Sequence, residues 1–149
     1  MPVKDFCVRS VVHVDRDTTI HDAAHLMRQN HVGDLIVVDR DHEGVTPVGI
    51  ITDRDIVLSV VAPKLDATVI TVGDVMSSEL VSCREDLGVT ECLRKMRTHG
   101  VRRMPIVNER GFLVGIVSID DVIEMLADEL GEVAKLISRE QGREVRLRR

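Results

Sequence analysis

Tryptophan and tyrosine are absent from this chain, and phenylalanine occurs only twice. Single-stranded nucleic-acid binders stack bases on aromatic side chains, so that class of partner is disfavoured and any flat ring held here must lie between aliphatic side chains. Charge points the same way. Twenty Lys and Arg against 25 Asp and Glu leave a net charge of −5, which gives no general attraction to nucleic acid or to an anionic membrane. Cys7, Cys83 and Cys92 are odd in number and form no CxxC, which argues against a disulfide framework or a thiolate zinc site. No apolar run approaches the roughly 18 residues that span a bilayer. The opening MPVKDFCVRS also lacks the apolar centre of a signal peptide. The expectation is a cytoplasmic protein with neither membrane nor nucleic acid as partner.

What the chain does have is an ordinary globular balance, 44% hydrophobic and 30% charged over 149 residues, enough for one core or a bilobed one. It also has an internal repeat. Val12, Asp17, Met27, Arg28, Val32 and Val38 recur as Val81, Asp86, Met96, Arg97, Val101 and Val107, all at an offset of 69. Val48, Gly49, Ile50, Thr52 and Asp55 recur as Val114, Gly115, Ile116, Ser118 and Asp121 at an offset of 66, so repeat one carries three extra loop residues within DRDHEGVTP. Length changes in a hairpin loop cost little.

Both copies spell the same elements. Ile20, Ala23, Ala24 and Met27, and again Val89, Cys92, Leu93 and Met96, follow the i, i+3, i+4, i+7 spacing of an amphipathic helix. LIVVD and PVGIIT, or MPIVN and LVGIVS, then read as two short strands joined by a turn. A further helix follows, its apolar stripe running through Ile119, Val122, Ile123, Leu126, Ala127 and Leu130 in repeat two. Short strands near Val12 to Val14 and Val81 to Cys83 open the units. The predicted fold is α/β (α+β): two pseudo-symmetric β-α-β-β-α repeats, over 1–65 and 66–130, packed sheet to sheet, with a helical basic tail over 131–149. A three-stranded sheet with helices on one face leaves the other bare, and two copies can bury those faces against each other. Neither copy is expected to fold well alone.

The most distinctive stretch is GIITDRDIV, residues 49–57, echoed by GIVSIDDVI at 115–123. A Ser or Thr with an acid three residues later is a helix-capping pattern, and capping alone explains Thr52 with Asp55 or Ser118 with Asp121. Its retention in both copies, at the end of a VGI strand within the same unit, favours a ligand role performed together with capping. His21 and His25 sit four apart on a helix but lack an evident third ligand, so a solvated face is the better reading and no metal is expected. His13, His31, His42 and His99 are scattered without a nucleophile partner, and no Walker or Rossmann fingerprint occurs. No catalytic residue is assigned, and the chain is not expected to be an enzyme.

VGDLIVVD with GIITDRDIV, and VRRMPIVN with GIVSIDDVI, resemble the tandem cystathionine-beta-synthase (CBS) domain, or Bateman module, over about residues 3 to 130. The resemblance implies binding of an adenine nucleotide (AMP, ADP or ATP) or another adenosyl ligand such as S-adenosylmethionine, in clefts between the repeats, to tune a partner's activity. It also implies a homodimer. Carried over, Thr52 with Asp55 and Ser118 with Asp121 match the ribose-binding pairs, a carboxylate being able to accept from both hydroxyls of a cis-diol, while Gly49 and Gly115 let the backbone approach. Val32 and Gly33, and Val101 and Arg102, match the lining of the adenine and phosphate region. Arg103 beside Arg102 suits bidentate phosphate contact, and Arg54 is a further phosphate candidate. Asp34 stands where Arg103 stands, so the two clefts are expected to be unequal, the one using Arg102 and Arg103 taking the more highly charged ligand. The competing readings are a ligand-free dimerisation or docking scaffold, and a small metal enzyme built on His21 and His25. For the tail, with Arg139, Arg143, Arg146, Arg148 and Arg149, a packed dimer helix competes with a partner-binding arm.

Overall fold

A computed structural model describes residues 1–148; Arg149, the last arginine of the basic tail, lies outside the described residues. Each repeat opens with a short strand, β1 (His13–Asp15) or β4 (Cys83–Arg84), and an amphipathic helix, α1 (Ile20–Asn30) or α4 (Val89–His99). An antiparallel hairpin follows, β2 (Asp34–Arg40) with β3 (Val45–Thr52) and β5 (Arg103–Val107) with β6 (Leu113–Ser118). From β3 the chain enters α2 (Asp53–Ile56), which runs on through a π-helical turn at Val57–Val61. From β6 it enters α5 (Ile119–Leu147), one helix of 29 residues. A short helix α3 (Val72–Val75) lies in the linker, and a 3-10 turn spans Val3–Asp5. The expected β-α-β-β-α unit is thus present twice, as two three-stranded sheets of order β1-β2-β3 and β4-β5-β6, the first strand of each parallel to the second.

Local chemistry sets the helix ends. Thr19 accepts the Asp22 N–H at 3.2 Å to start α1. The helix stops at His31, which takes the left-handed φ of 53°; at the matching place after α4, Gly100 adopts φ 65° without a Cβ to crowd it. Ile20, Ala23 and Met27 are buried, as expected, but Ala24, at the edge of that stripe, is exposed. Cys92 is fully buried in the second core.

Along β2 the side chains alternate. Leu35 and Val37 enter the core under α1, while Ile36 and Val38 point the other way and are equally buried. In β5, Met104 and Ile106 take the inward role, and Pro105 on the opposite face is also buried. Those second faces meet between the repeats. Arg103 at the start of β5 reaches Asp34 at the start of β2, and Arg110 in the second hairpin loop pairs with Glu43 in the first. The three extra residues of repeat one do not swell a loop. They lengthen the hairpin, which pairs as far as Arg40 with Val45 beyond a bulge at Val37/Val38.

The cores are exchanged along the chain. The linker segment that precedes repeat two packs on repeat one: Thr71 bridges Thr19, Ser77 bridges Ile50, and Val72 is buried in the first core. The opening segment, which precedes repeat one, packs on repeat two: Pro2 bridges Gly88, Val8 bridges Ile116, and Val3 is buried in the second core. This explains Gly49 and Gly115 differently from ligand approach. A Cβ at Gly49 would lie 2.7 Å from Met76 Sδ and 2.8 Å from the Ser77 carbonyl, and one at Gly115 would lie 2.8 Å from Cys7 Sγ. The crossing segment occupies the space the missing side chain leaves.

The stripe on α5 behaves differently from a core face. Val122 is buried, but Ile123, Leu126 and Leu130 keep 58%, 45% and 69% of their surface exposed. From Glu132 to Arg148 every residue is exposed. Among the described residues, no helix is long and apolar enough to cross a membrane.

Candidate functional site

Where the two sheets meet, the strand ends leave a cleft of about 730 Å³. Repeat one contributes Gly33 and Asp34 from the start of β2, Ile50 and Thr52 from the end of β3, and Asp53 and Arg54 from the first turn of α2. Repeat two contributes Val101, Arg102 and Arg103, and the approach to β4 adds Glu79, Leu80 and Val81. The turn is held rigidly. Thr52 Oγ1 accepts the Asp55 N–H at 3.1 Å, Asp55 Oδ2 accepts the Thr52 N–H at 2.9 Å, and the Asp53 N–H donates to the Gly33 carbonyl at 2.9 Å. One carboxylate oxygen of Asp55 is therefore committed to capping, which leaves Oδ1 for a further donor.

Of the residues singled out in the sequence, Gly33, Thr52, Arg54, Val101, Arg102 and Arg103 line this one cleft. Val32 packs against the first core instead, and Asp55 is not among the lining residues but is bonded to Thr52, which is. Ser118 and Asp121 close on each other: Asp121 Oδ2 accepts the Ser118 N–H at 2.6 Å and the Ser118 hydroxyl at 2.7 Å. Asp121 lines a separate hollow of about 420 Å³ beside Asp5 and Phe6. A third capping box occurs in the linker, where Thr71 donates to Asp74 Oδ2 through both its N–H and its hydroxyl at 3.0 Å. Neither residue lines the cleft, so the spacing alone reports a cap. Its place at the cleft distinguishes the Thr52 copy.

The sequence leads to the expectation of two unequal clefts, with Arg102 and Arg103 serving the more highly charged ligand; the structure places both arginines in the same cleft as Asp34. Asp34 and Arg103 are related by the repeat and pair with each other across the seam, putting the arginines of repeat two beside the hydroxyl end of repeat one. The Asp34 side chain keeps only 10% of its surface exposed against 40% for Arg103. Burial raises the Asp34 carboxyl above the ordinary carboxylate range, with Arg103 opposing the shift and the negative charge of Asp53 adding to it. Arg102 remains mostly in solvent, 4.0 Å from Asp120. The cleft thus carries three cations, Arg54, Arg102 and Arg103, and three acids, Asp34, Asp53 and Glu79, with one pair already neutralised. Glu79, Leu80 and Ile50 were not anticipated as lining. The one available signal was the opposite sign of Asp34 and Arg103 at a shared repeat position. Among the described residues, no group of three His, Cys, Asp or Glu side chains is placed to hold a metal ion.

The family model described as CBS domain matches the chain twice, over residues 3–62 and 72–128. The chain belongs to the CBS domain family. As a CBS pair it is 40% identical over 120 residues to the CBS domain-containing protein YhcV of Bacillus subtilis, covering 80% of this chain and 81% of that one. It is 33% identical over 117 residues to the uncharacterised protein MK0525 of Methanopyrus kandleri, covering 78% of this chain but 58% of that longer relative. Among solved structures, the CBS pair resembles the CBS domain protein PAE2072 of Pyrobaculum aerophilum complexed with AMP, at 30% identity and a TM-score of 0.71, covering 81% of this chain and 89% of that one. It also resembles Hypoxic Response Protein I with two coordinated zinc ions, at 31% identity and a TM-score of 0.72, covering 83% of this chain and 98% of that one.

Proposed function

We propose that this CBS pair is a cytoplasmic, non-catalytic regulatory module that binds an adenine nucleotide in the cleft at Thr52 and alters the activity of a protein partner. The observation that carries the reading is the convergence, in one 730 Å³ cleft, of the hydroxyl strand end of repeat one with Arg54, Arg102 and Arg103. That volume suits a small-molecule site of roughly 300–1,000 Å³. Thr52 and Asp55 Oδ1 would hold the ribose diol, Ile50, Leu80, Val81 and Val101 would sandwich the ring, and the guanidiniums would take phosphate. The complex of PAE2072 with AMP supports the ligand class, and S-adenosylmethionine remains an alternative of the same adenosyl chemistry. By linkage, ligand can shift the packing of the repeats by no more than its differential affinity for the two arrangements, typically 1 to 3 kcal/mol. A homodimer is part of the proposal.

The self-contained cap at Ser118 and the Asp34–Arg103 pair favour one competing reading, a scaffold that binds nothing. Calorimetry on stripped protein separates the two. AMP, ATP or S-adenosylmethionine should release heat, and Arg54→Ala with Arg102→Ala should weaken the phosphorylated ligands about tenfold or more, as expected for lost charge-assisted hydrogen bonds. Absence of heat with every adenosine derivative would leave only the scaffold. The lack of Trp and Tyr makes a cheap first check, since carried-over nucleotide would dominate the absorbance near 260 nm.

A further inference from the structure

We propose that α5 pairs antiparallel with the α5 of a second copy, about a two-fold axis between Leu130 and Val133, so that Glu140 and Glu144 of each copy seat at an arginine-lined groove on the other. This rests on the homodimer proposed above, whose interface it specifies, and does not depend on the ligand reading. From Glu132 to Leu147 every residue of α5 is exposed, yet the chain stays helical throughout. A solitary helix of roughly four turns is marginal in water and gains its stability from a packed face. The face is present. Ile119, Ile123, Leu126, Leu130, Val133 and Ile137 alternate steps of four and three, the seam of a two-helix coil, and the last five of them are 45% to 69% exposed.

Charge chooses the direction. The first half of α5 carries Asp120, Asp121, Glu124, Asp128, Glu129 and Glu132 without a base; the second carries Lys135, Arg139, Arg143 and Arg146, with Glu140 and Glu144 as its acids. A parallel pair sets acids against acids and bases against bases, whereas an antiparallel pair sets each half against its opposite. Register follows from the seam. With Leu130 opposite Val133 and Leu126 opposite Ile137, the next seam positions bring Glu140 opposite Ile123 and Glu144 opposite Ile119. Two carboxylates on an otherwise apolar seam are costly unless the far side supplies cations. It does so here. Ile119 and Ile123 line a groove of about 780 Å³ between α4 and α5, together with Leu93 and the exposed Arg94, Arg97 and Arg102. Among the described residues, Glu144 forms an ion pair with Arg148, at 3.5 Å.

The test places nitroxide labels in the full chain at Gly131→Cys or Gly142→Cys, where an added side chain meets nothing within 4 Å, with Cys7→Ser as background. Antiparallel pairing predicts strong dipolar broadening between copies at 131 and a separation of roughly 30 Å at 142, twice the axial distance from the centre at 1.5 Å per residue. Glu140→Arg with Glu144→Arg should weaken the dimer about tenfold or more, and adding Arg94→Glu with Arg97→Glu should restore it, as expected of facing charges. Labels at 142 as close as those at 131, no coupling between copies at either site, or charge reversal without effect would each overturn the proposal.

Discussion

Replacing Asp34 by Asn is the sharpest probe of the cleft, because it removes a charge while keeping shape. Asp34 holds Arg103 on the seam, so a phosphate entering the cleft must compete with a carboxylate that also repels it. At about 6 Å and an effective dielectric of about 40, one unit charge acts on another with about 1.4 kcal/mol, close to a tenfold change in affinity. Asp34→Asn should therefore tighten AMP about tenfold and leave uncharged adenosine unchanged in paired calorimetric titrations. The cost to the fold is small. Burial already raises the Asp34 carboxyl against the pull of Arg103, so the charged form is disfavoured in the native chain and stability should stay within about 1 kcal/mol of the parent. The sign of the pH effect follows. The folded chain holds this proton more tightly than the unfolded one, so the Asp34 contribution to stability is fullest in acid. It is lost as pH rises from the ordinary carboxylate range through the raised value. Over that window the affinity gap between parent and Asp34→Asn should close as pH falls, because protonation does to the parent what the substitution does permanently. An AMP affinity that is unchanged or weaker in the variant, or adenosine gaining as much as AMP, would refute the reasoning.

The three capping boxes give an internal control: Asp55→Ala, Asp121→Ala and Asp74→Ala should each lose about 1 kcal/mol of stability in denaturant titrations, but only Asp55→Ala should also abolish the nucleotide heat. Val3→Ala should cost about 2 kcal/mol and, read by amide hydrogen exchange, should loosen β5 and β6 rather than β2 and β3, since Val3 is buried in the core of repeat two. Equal loosening of both hairpins would contradict the exchanged packing.

The repeat, the unit and the sheet-to-sheet architecture were legible because they are written in short-range periodicity: Leu35 and Val37 against Ile36 and Val38, or Cys92 and Met96 on one helical face. Partner choice at long range was not. Nothing local in MPVKDFCV says that Val3 fills the core of the second repeat rather than that of the first, nor that the glycine of each VGI faces a crossing segment. The cleft was half legible. Thr52, Arg102 and Arg103 could be named, yet their membership in one site depends on the pseudo-symmetry that brings Asp34 to Arg103. The stripe from Ile119 to Leu130 shows the limit most plainly, since helical spacing states that a face is apolar without stating what covers it.

Because the segment at 71–77 fastens the repeat before it and the segment at 2–8 fastens the repeat at the far end of the chain, the connectivity is cyclic although the polymer is linear. Residues 2–8 could be grafted behind the second repeat, as 71–77 already stand behind the first, and the molecule would keep its shape with a new beginning. Cutting the backbone near Lys64 should likewise leave two fragments clasped together, each holding a fastener that belongs to the other.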